Sequence, residues 1–95
     1  MLIEKPISKG DIVSVKLSNG DELITRLEEE NENFIKINRP LAITMSGQGL
    51  GMIPFMFLAN KETITIKMIH VMAIAPAKKE AADQYVQGTT GIALA

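Results

Sequence analysis

The sequence predicts a mainly β protein: a small, strongly bent five-stranded barrel followed by a short C-terminal helix. The chain has 95 residues, enough for one domain that buries about 60–65% of its unfolded surface. Several short segments alternate apolar and polar residues, and polar breaks of hairpin length separate them. Short strands with short links, in a chain of this size, favour a sheet that closes into a barrel.

The first hairpin gives the clearest pattern. The segment VSVKLS, residues 13–18, alternates apolar and polar side chains, which places one face of a strand in a core and the other in solvent. Asn19-Gly20 follows, a pair typical of type I′ turns, in which both central residues have positive φ. We expect the chain to reverse there into a second strand over residues 21–28.

The third strand begins at FIKI, residues 34–37, after the acidic segment EEENEN, residues 28–33. We expect that acidic segment to be a solvent-exposed turn. Pro40 lacks a backbone N–H and therefore restricts the third strand to an edge or a bulge at that point.

A run without charged side chains extends from Pro40 to Asn60, and its length raises the question of a membrane span. A helix there would carry Ser and Gly residues at its centre, and both are poor helix formers. A hairpin fits better, with arms LAITM and MIPFMFLA joined through SGQGLG. Because apolar residues occur on both faces of these arms, we expect a neighbouring subunit to cover one of them.

The remaining chain predicts two more strands and a helix. TITIK, residues 63–67, alternates, whereas IHVMAIAP, residues 69–76, is apolar on both faces. Between them, at residues 68–70, the alternation breaks, which indicates a bulge or a short turn. The expected helix runs from Ala77 to Gln87 and stops at Gly88. The single domain then comprises residues 1–95, with a core at 11–76 and a helix and frayed tail at 77–95.

Composition narrows the class of protein. The chain has no cysteine, which excludes disulfides and thiolate metal sites and favours a reducing, cytoplasmic location. Glu4, Lys5 and Pro6 interrupt the apolar start, unlike a signal peptide. Acidic residues concentrate in residues 21–32 and basic residues in residues 33–79, so the folded protein could present one acidic and one basic surface, or simply a mixed solvated one.

The order of these elements resembles the Sm/LSm family, and its bacterial Hfq branch most closely. The matching residues follow the pattern VSxxLxNGxxL, and they are Val13, Ser14, Leu17, Asn19, Gly20 and Leu23. Leu27-Glu28 and Phe34-Ile35 extend the match, and the ending AIAPA is similar to the close of the family's second motif. The resemblance covers residues 11–76, interrupted by the long hairpin at residues 41–58.

The resemblance implies a five-stranded SH3-type sheet whose copies join edge to edge through their last two strands. It also implies that single-stranded RNA binds around the pore of a ring, at the loop after the second strand and the loop before the last. The apolar last strand independently favours pairing with another copy. We expect a ring of about five to seven subunits, with an interface that contains Ile69, Val71, Met72, Ile74, Phe55 and Phe57.

The chain departs from the family at the RNA site. Asn33 stands where the family has a base-stacking aromatic or His, Ile35 stands where eukaryotic members have a base-reading Asn, and Asn31 replaces the usual Asp. The second motif's basic pair is absent, although Lys67 and His70 lie within two or three positions of it. The candidate nucleic-acid-binding residues are Asn33, Lys36, Lys67, His70, Arg39 and Lys61.

Other chemistry has little support in the sequence. His70 is the only histidine, which makes a metal site improbable and leaves a structural, interface or pore-side role open. The GQGLG glycines lack the Lys-Ser/Thr of a phosphate-binding loop, and the glutamates of residues 28–32 belong to the expected exposed turn. No pattern typical of a catalytic nucleophile occurs, so we expect a non-enzyme without cofactors.

Two functions remain open from the sequence. One is a non-catalytic Sm-like ring protein that binds single-stranded RNA, or DNA, and has no contact with membranes. The alternative is an oligomeric structural or adaptor module, of phage or mobile-element origin, that binds protein through the apolar hairpin of residues 41–58. Detectable binding of an oligonucleotide at low salt would favour the first.

Overall fold

A computed structural model describes residues 7–91 of the chain. These form six strands, one 3₁₀ turn and one helix. In chain order they are β1 (Ile12–Leu17), β2 (Glu22–Glu30), β3 (Phe34–Ser46), β4 (Gly49–Pro54), β5 (Thr63–Lys67), the 3₁₀ turn (Met68–His70), β6 (Val71–Pro76) and α1 (Lys79–Gly91).

The strands form one antiparallel sheet in the order β4-β3-β2-β1-β6. The 13 residues of β3 are long enough to pair with β5 along their first half and with β4 along their second, on the same edge. The fold is therefore mainly β with a C-terminal helix, as the sequence predicts. The sheet is not closed, so the predicted barrel is not confirmed, and six strands replace the expected five because the hairpin arms join the sheet.

The alternating residues of the first hairpin do form the core. Each strand turns one face toward a cluster of aliphatic side chains, while the intervening residues lie on the opposite face. The buried members of the cluster are Val13, Val15, Leu17, Leu23, Leu27, Ile35, Ile37 and Ile66. Partly buried Phe55, Val71 and Ile74 pack against it.

The turn between β1 and β2 differs from the predicted type I′. Gly20 has a φ of 99°, but Asn19 does not have a positive φ. The N–H of Gly20 donates to the carbonyl of Leu17 at 2.9 Å, which makes a three-residue loop ending in a left-handed glycine. Asn19 accepts the N–H of Asp21 on its side-chain oxygen at 2.9 Å, and that bond favours the observed conformation.

The acidic segment is only partly a turn, so its predicted extent is wrong. β2 continues through Glu30, and the turn is confined to residues 31–33. The register between β2 and β3 shifts after Leu27, so that Glu28 forms a bulge. Cross-strand pairing with Lys36 and Ile35 of β3 keeps Glu29 and Glu30 in the strand, and both side chains are exposed.

Pro40 lies at a bulge, as predicted. The pairing of β2 with β3 gains one extra β3 residue between Asn38 and Leu41, and Arg39 there has a φ of 48°. The carbonyl of Pro40 accepts the N–H of Phe55 at 3.0 Å. The bulge divides β3 into the half paired with β5 and the half paired with β4.

α1 covers the face of the sheet opposite the core. Tyr85 is almost fully buried there, and its hydroxyl donates to the carbonyls of Asn38 and Arg39 at 2.7 and 3.1 Å. The helix starts at Lys79 rather than Ala77 and continues past Gly88 to Gly91. Thr89 donates its hydroxyl to the carbonyl of Tyr85 at 2.9 Å, a bond typical of helix interiors.

The predicted break at residues 68–70 is confirmed as the 3₁₀ turn. The predicted hairpin is confirmed through Pro54, whereas the rest of its second arm is not a strand. No helix within residues 7–91 is long and apolar enough to cross a membrane. The end of the predicted tail, residues 92–95, and the amino-terminal residues 1–6 lie outside the described part of the chain.

Candidate nucleic-acid interface

The turn between β2 and β3 is held by Asn31. Its side-chain oxygen accepts hydrogen bonds from the backbone N–H groups of Asn33 and Phe34 at 2.8 and 3.0 Å. The backbone N–H of Asn31 donates to the carbonyl of Phe34 at 3.0 Å. Asn favours such turns because its short side chain can replace a backbone acceptor. Asn33 is therefore presented at the surface by a turn with a defined backbone.

This turn meets the 3₁₀ turn that precedes β6. The N–H of Met68 donates to the carbonyl of Asn33 at 2.9 Å, and Phe34 pairs with Lys67 in the β3–β5 register. Two segments more than thirty residues apart in the chain are thus joined by a direct hydrogen bond. They are the two loops in which the sequence resemblance places the RNA site.

His70 lies at the far end of the same 3₁₀ turn. Its carbonyl accepts the N–H of Ser18 at 2.8 Å, which ties the 3₁₀ turn to the turn between β1 and β2. The His70 side chain is exposed, so its imidazole is accessible to a ligand at this end of the sheet.

Phe34 adds an aromatic ring that is not among the residues predicted to bind nucleic acid. The Lys36 ammonium lies 5.7 Å from the centre of the Phe34 ring, and Lys67 is directly opposite Phe34 across the strand pair. Directly opposed residues project on the same face of a sheet. The missed signal was the alternation NFIKI, which turns Ile35 and Ile37 into the core and leaves Phe34 and Lys36 on the other face.

Acidic side chains flank this surface. Glu29 approaches Lys36, with 3.8 Å between Oε1 and Nζ, and both side chains are about half exposed. Lys67 is exposed and forms no ion pair with any side chain of residues 7–91. Lys67 is therefore the less compensated of the two lysines that flank Phe34.

Arg39 and Lys61 lie elsewhere. Arg39 lies five positions after Phe34 in β3, a distance of about 16 Å along a strand. The Arg39 guanidinium donates from Nη2 to Glu62 Oε1 at 2.7 Å and from Nη1 to the carbonyl of Thr89 at 2.5 Å. These two bonds link β3 to the segment before β5 and to α1. The neighbouring Lys61 is exposed.

The ion pair between Arg39 and Glu62 shifts the pKa of both side chains. The hydrogen bond from Arg39, and then its charge, holds the pKa of the Glu62 carboxyl below its ordinary value. The same hydrogen bond and the Glu62 charge raise the pKa of Arg39 further. The six candidate residues thus form two groups. Asn33, Lys67 and His70 lie at or beyond the end of β5, with Lys36 opposite the middle of that strand beside Phe34. Arg39 and Lys61 lie at the start of β5.

The candidate interface residues also divide into two sets. Ile69, Met72 and Phe57 are exposed by 80%, 69% and 73%. Val71, Ile74 and Phe55 pack partly against the core instead. β6 pairs with β1 along one edge, and no strand of residues 7–91 pairs with its other edge, so an exposed apolar side chain, Met72, lies on an edge strand.

Comparisons with known proteins assign no family. No protein-family model matches the chain, and no curated protein matches it.

Proposed function

We propose that this protein is a non-catalytic, Sm-like protein that assembles into a ring and binds single-stranded RNA, or single-stranded DNA. The observation that carries the proposal is the hydrogen bond between Asn33 and Met68. It joins the two candidate loops beside an aromatic ring and two lysines, so that stacking and charge are available at one place.

The chemistry of this surface suits a single strand. An aromatic side chain stacks on a base of any sequence and contributes about 1–3 kcal/mol per base. Lysines near such a ring attract the phosphates. Phe34 is partly buried by its neighbours, which fixes the ring, and Lys67 lies opposite it in the adjacent strand.

The sheet edges support assembly. β6 pairs only with β1, and β5 only with β3, among the strands of residues 7–91. Unpaired edges invite pairing with another chain. When β6 of one copy joins β5 of the next, a closed ring satisfies both edges in every copy and repeats the Phe34 surface around the axis.

Binding of fluorescently labelled RNA and DNA single strands of mixed sequence, measured from 25 to 300 mM salt, tests the proposal. We expect the logarithm of the association constant to fall with the logarithm of the salt concentration, by roughly 0.7 per phosphate contact. Lys67→Gln should weaken binding and reduce this slope. Phe34→Leu keeps an apolar side chain but removes the stacking ring, and should weaken binding while leaving the slope unchanged.

Lys79→Gln is the matched control for charge, because Lys79 is exposed on α1 beyond the opposite end of β6. It should bind like the unchanged protein. Absence of binding at 25 mM salt, or equal effects of the Lys67 and Lys79 variants, would contradict the proposal.

The second candidate function is an oligomeric structural or adaptor module. It is favoured by the exposed apolar side chains of the hairpin and of the segment after it, including Met45, Leu50, Phe57 and Leu58. Exposed apolar patches of this kind mark protein–protein contacts. A protein that assembles but binds no nucleic acid at low salt fits this function.

A further inference from the structure

A groove separates α1 from the β3–β4 hairpin. Its floor consists of apolar side chains on the helix-covered face of the sheet, and its wall is the segment that leads into α1. Its apolar lining residues are Ile24, Ile43, Leu50, Met52, Pro76, Ala77 and Ala81. The groove has a volume of about 530 Å³, within the range of about 300–1,000 Å³ that holds drug-sized ligands. The polar and charged residues Ser14, Glu22, Lys78, Glu80 and Gln84 line the rest of the groove.

A protruding apolar segment follows the hairpin. Met56, Phe57 and Leu58 follow β4 and are exposed by 49%, 73% and 98%. No charged residue occurs between Pro40 and Asn60. A segment with this composition and exposure suits an apolar partner, and apolar side chains form most of the groove's lining.

The exposed area is large for a monomer. Together with Leu50 and Ile53, the segment leaves on the order of 600 Å² of large apolar residues exposed, at the top of the roughly 300–600 Å² range of a typical monomer's largest patch. A standard interface buries about 800 Å² per partner. The area therefore suits an interface between folded chains.

In the ring of the proposed function, the strand directions bring this segment close to the groove of another copy. All neighbouring strands in the sheet are antiparallel, so β6 of one copy is expected to run antiparallel to β5 of the next. Antiparallel pairing then places Pro76, the end of β6 in the first copy, beside Thr63, the start of β5 in the second. β4 and β5 run in the same direction along β3, so the segment that connects them lies next to this end of β5. Thr63 follows the segment that contains Phe57 and Leu58.

We propose that the segment Met56–Leu58 of one copy fills the groove at the start of α1 in the neighbouring copy. The occupant is thus a second copy of this chain, and the inference rests on the ring of the proposed function. The contact adds apolar burial to an interface otherwise made of backbone hydrogen bonds along β5 and β6.

Chemical cross-linking between two different copies tests the contact, because the chain has no native cysteine. Leu58→Cys and Ala81→Cys variants are prepared separately, mixed under conditions that exchange subunits, and treated with a short bis-maleimide. We expect a covalent dimer that contains one copy of each variant. Ser18→Cys, in the exposed turn between β1 and β2, replaces Ala81→Cys as the control and should give no mixed dimer.

The mass of the assembly separates the two proposals. A ring-sized mass without the Leu58–Ala81 cross-link would overturn this contact and leave the ring intact. A monomeric mass would overturn both. Cross-linking within single chains of the Leu58→Cys/Ala81→Cys double variant, without any mixed dimer, would assign the groove to the chain's own segment and likewise overturn the inference.

A second measurement does not depend on cysteine placement. Phe57→Ser combined with Leu58→Ser should raise the dissociation constant between copies at least tenfold, since both side chains are exposed within one copy and lost only from the contact. Met45→Ser removes an equally exposed apolar side chain at the hairpin tip and should change dissociation much less. Equal effects of the two changes would contradict the contact.

Discussion

Arg39 and Glu62 are joined twice. The backbone N–H of Arg39 donates to the carbonyl of Glu62 at 2.7 Å, and the guanidinium Nη2 donates to Oε1 of the same residue at 2.7 Å. A third bond from Arg39 reaches the carbonyl of Thr89 in α1. One side chain at the β3 bulge therefore connects the segment before β5 with the end of the helix.

The φ of 48° at Arg39 predicts that glycine is tolerated better than alanine at this position. Arg39→Ala and Arg39→Gly remove the same side-chain bonds, but only glycine adopts a positive φ without cost. Such a conformation costs a non-glycine residue about 1 kcal/mol or more. Both variants should be less stable than the unchanged protein in urea unfolding, and Arg39→Gly should be the more stable of the two by about that amount. The reverse order would contradict the bulge geometry.

Glu62 should make stability depend on pH in the acid range. Its folded pKa is lowered from 4.5 by Arg39, so its contribution is fully present above pH 4.5 and is lost as pH falls through the folded pKa. Glu62→Gln should therefore be less stable than the unchanged protein at pH 7, and the difference should shrink below pH 4.5. The free energy of unfolding, measured in urea from pH 7 to pH 3, reports it. A difference that stays constant over this range would show that the carboxylate charge is not involved.

Tyr85 offers a direct spectroscopic probe, because it is the only tyrosine and the chain has no tryptophan. Burial raises the pKa of its phenol above 10.0. Ultraviolet titration of the folded protein should give a value above that of the protein in urea. Since the pKa is raised on folding, its contribution to stability is present below pH 10 and is lost as pH rises toward the folded pKa. Identical titrations in the two states would place the ring in solvent.

Tyr85→Phe tests the hydroxyl itself. The carbonyls of Asn38 and Arg39 lose a donor at a buried position, although Thr25 still donates to Asn38 at 2.8 Å. We expect a loss of about 1 kcal/mol, equivalent to a melting temperature lower by roughly 4–8 °C for a chain of this size. An unchanged melting temperature would mean that the hydroxyl is not required to anchor α1.

Glu29 should oppose nucleic-acid binding. It partly neutralises Lys36 at 3.8 Å and adds negative charge beside Phe34. Glu29→Gln should therefore increase affinity for single-stranded RNA about two- to fivefold at low salt, the range of a surface ion pair. Asp83→Asn, on the exposed side of α1 where Asp83 pairs with Lys79, removes the same charge at a distance and should have a smaller effect. Equal gains would indicate only a change in net charge.

Period-two alternation was sufficient to predict the hairpin of β1 and β2, because burial of one face fixes each residue's side. The break at residues 68–70 and the bulge at Pro40 were also predictable. The alternation of apolar and polar residues stops at the first, and Pro40 lacks the backbone N–H that a regular strand pairing needs. Local rules failed where tertiary contacts decided the outcome. Pairing with β3 extends β2 through Glu30. The hydrogen bond from Arg39 to the carbonyl of Thr89 joins the β3 bulge to a helix that continues beyond Gly88.

Of the candidate site, the sequence predicted the loops but not their chemistry. Asn33 and Lys67 belong to segments that only the sheet brings together. Phe34 was missed because an aromatic residue at the start of a strand is ordinarily counted toward the core. Arg39 was grouped with the other basic residues by proximity in the chain, whereas the bulge turns its guanidinium toward Glu62 and α1.

The mass of the protein in solution tests the central claim, that the free edge of β6 is completed by another copy. One chain has a mass of 10.4 kDa. Native mass spectrometry or sedimentation velocity at micromolar concentration should give a single closed species of about five to seven chains. A stable species of 10.4 kDa would contradict the assembly and the shared binding surface with it.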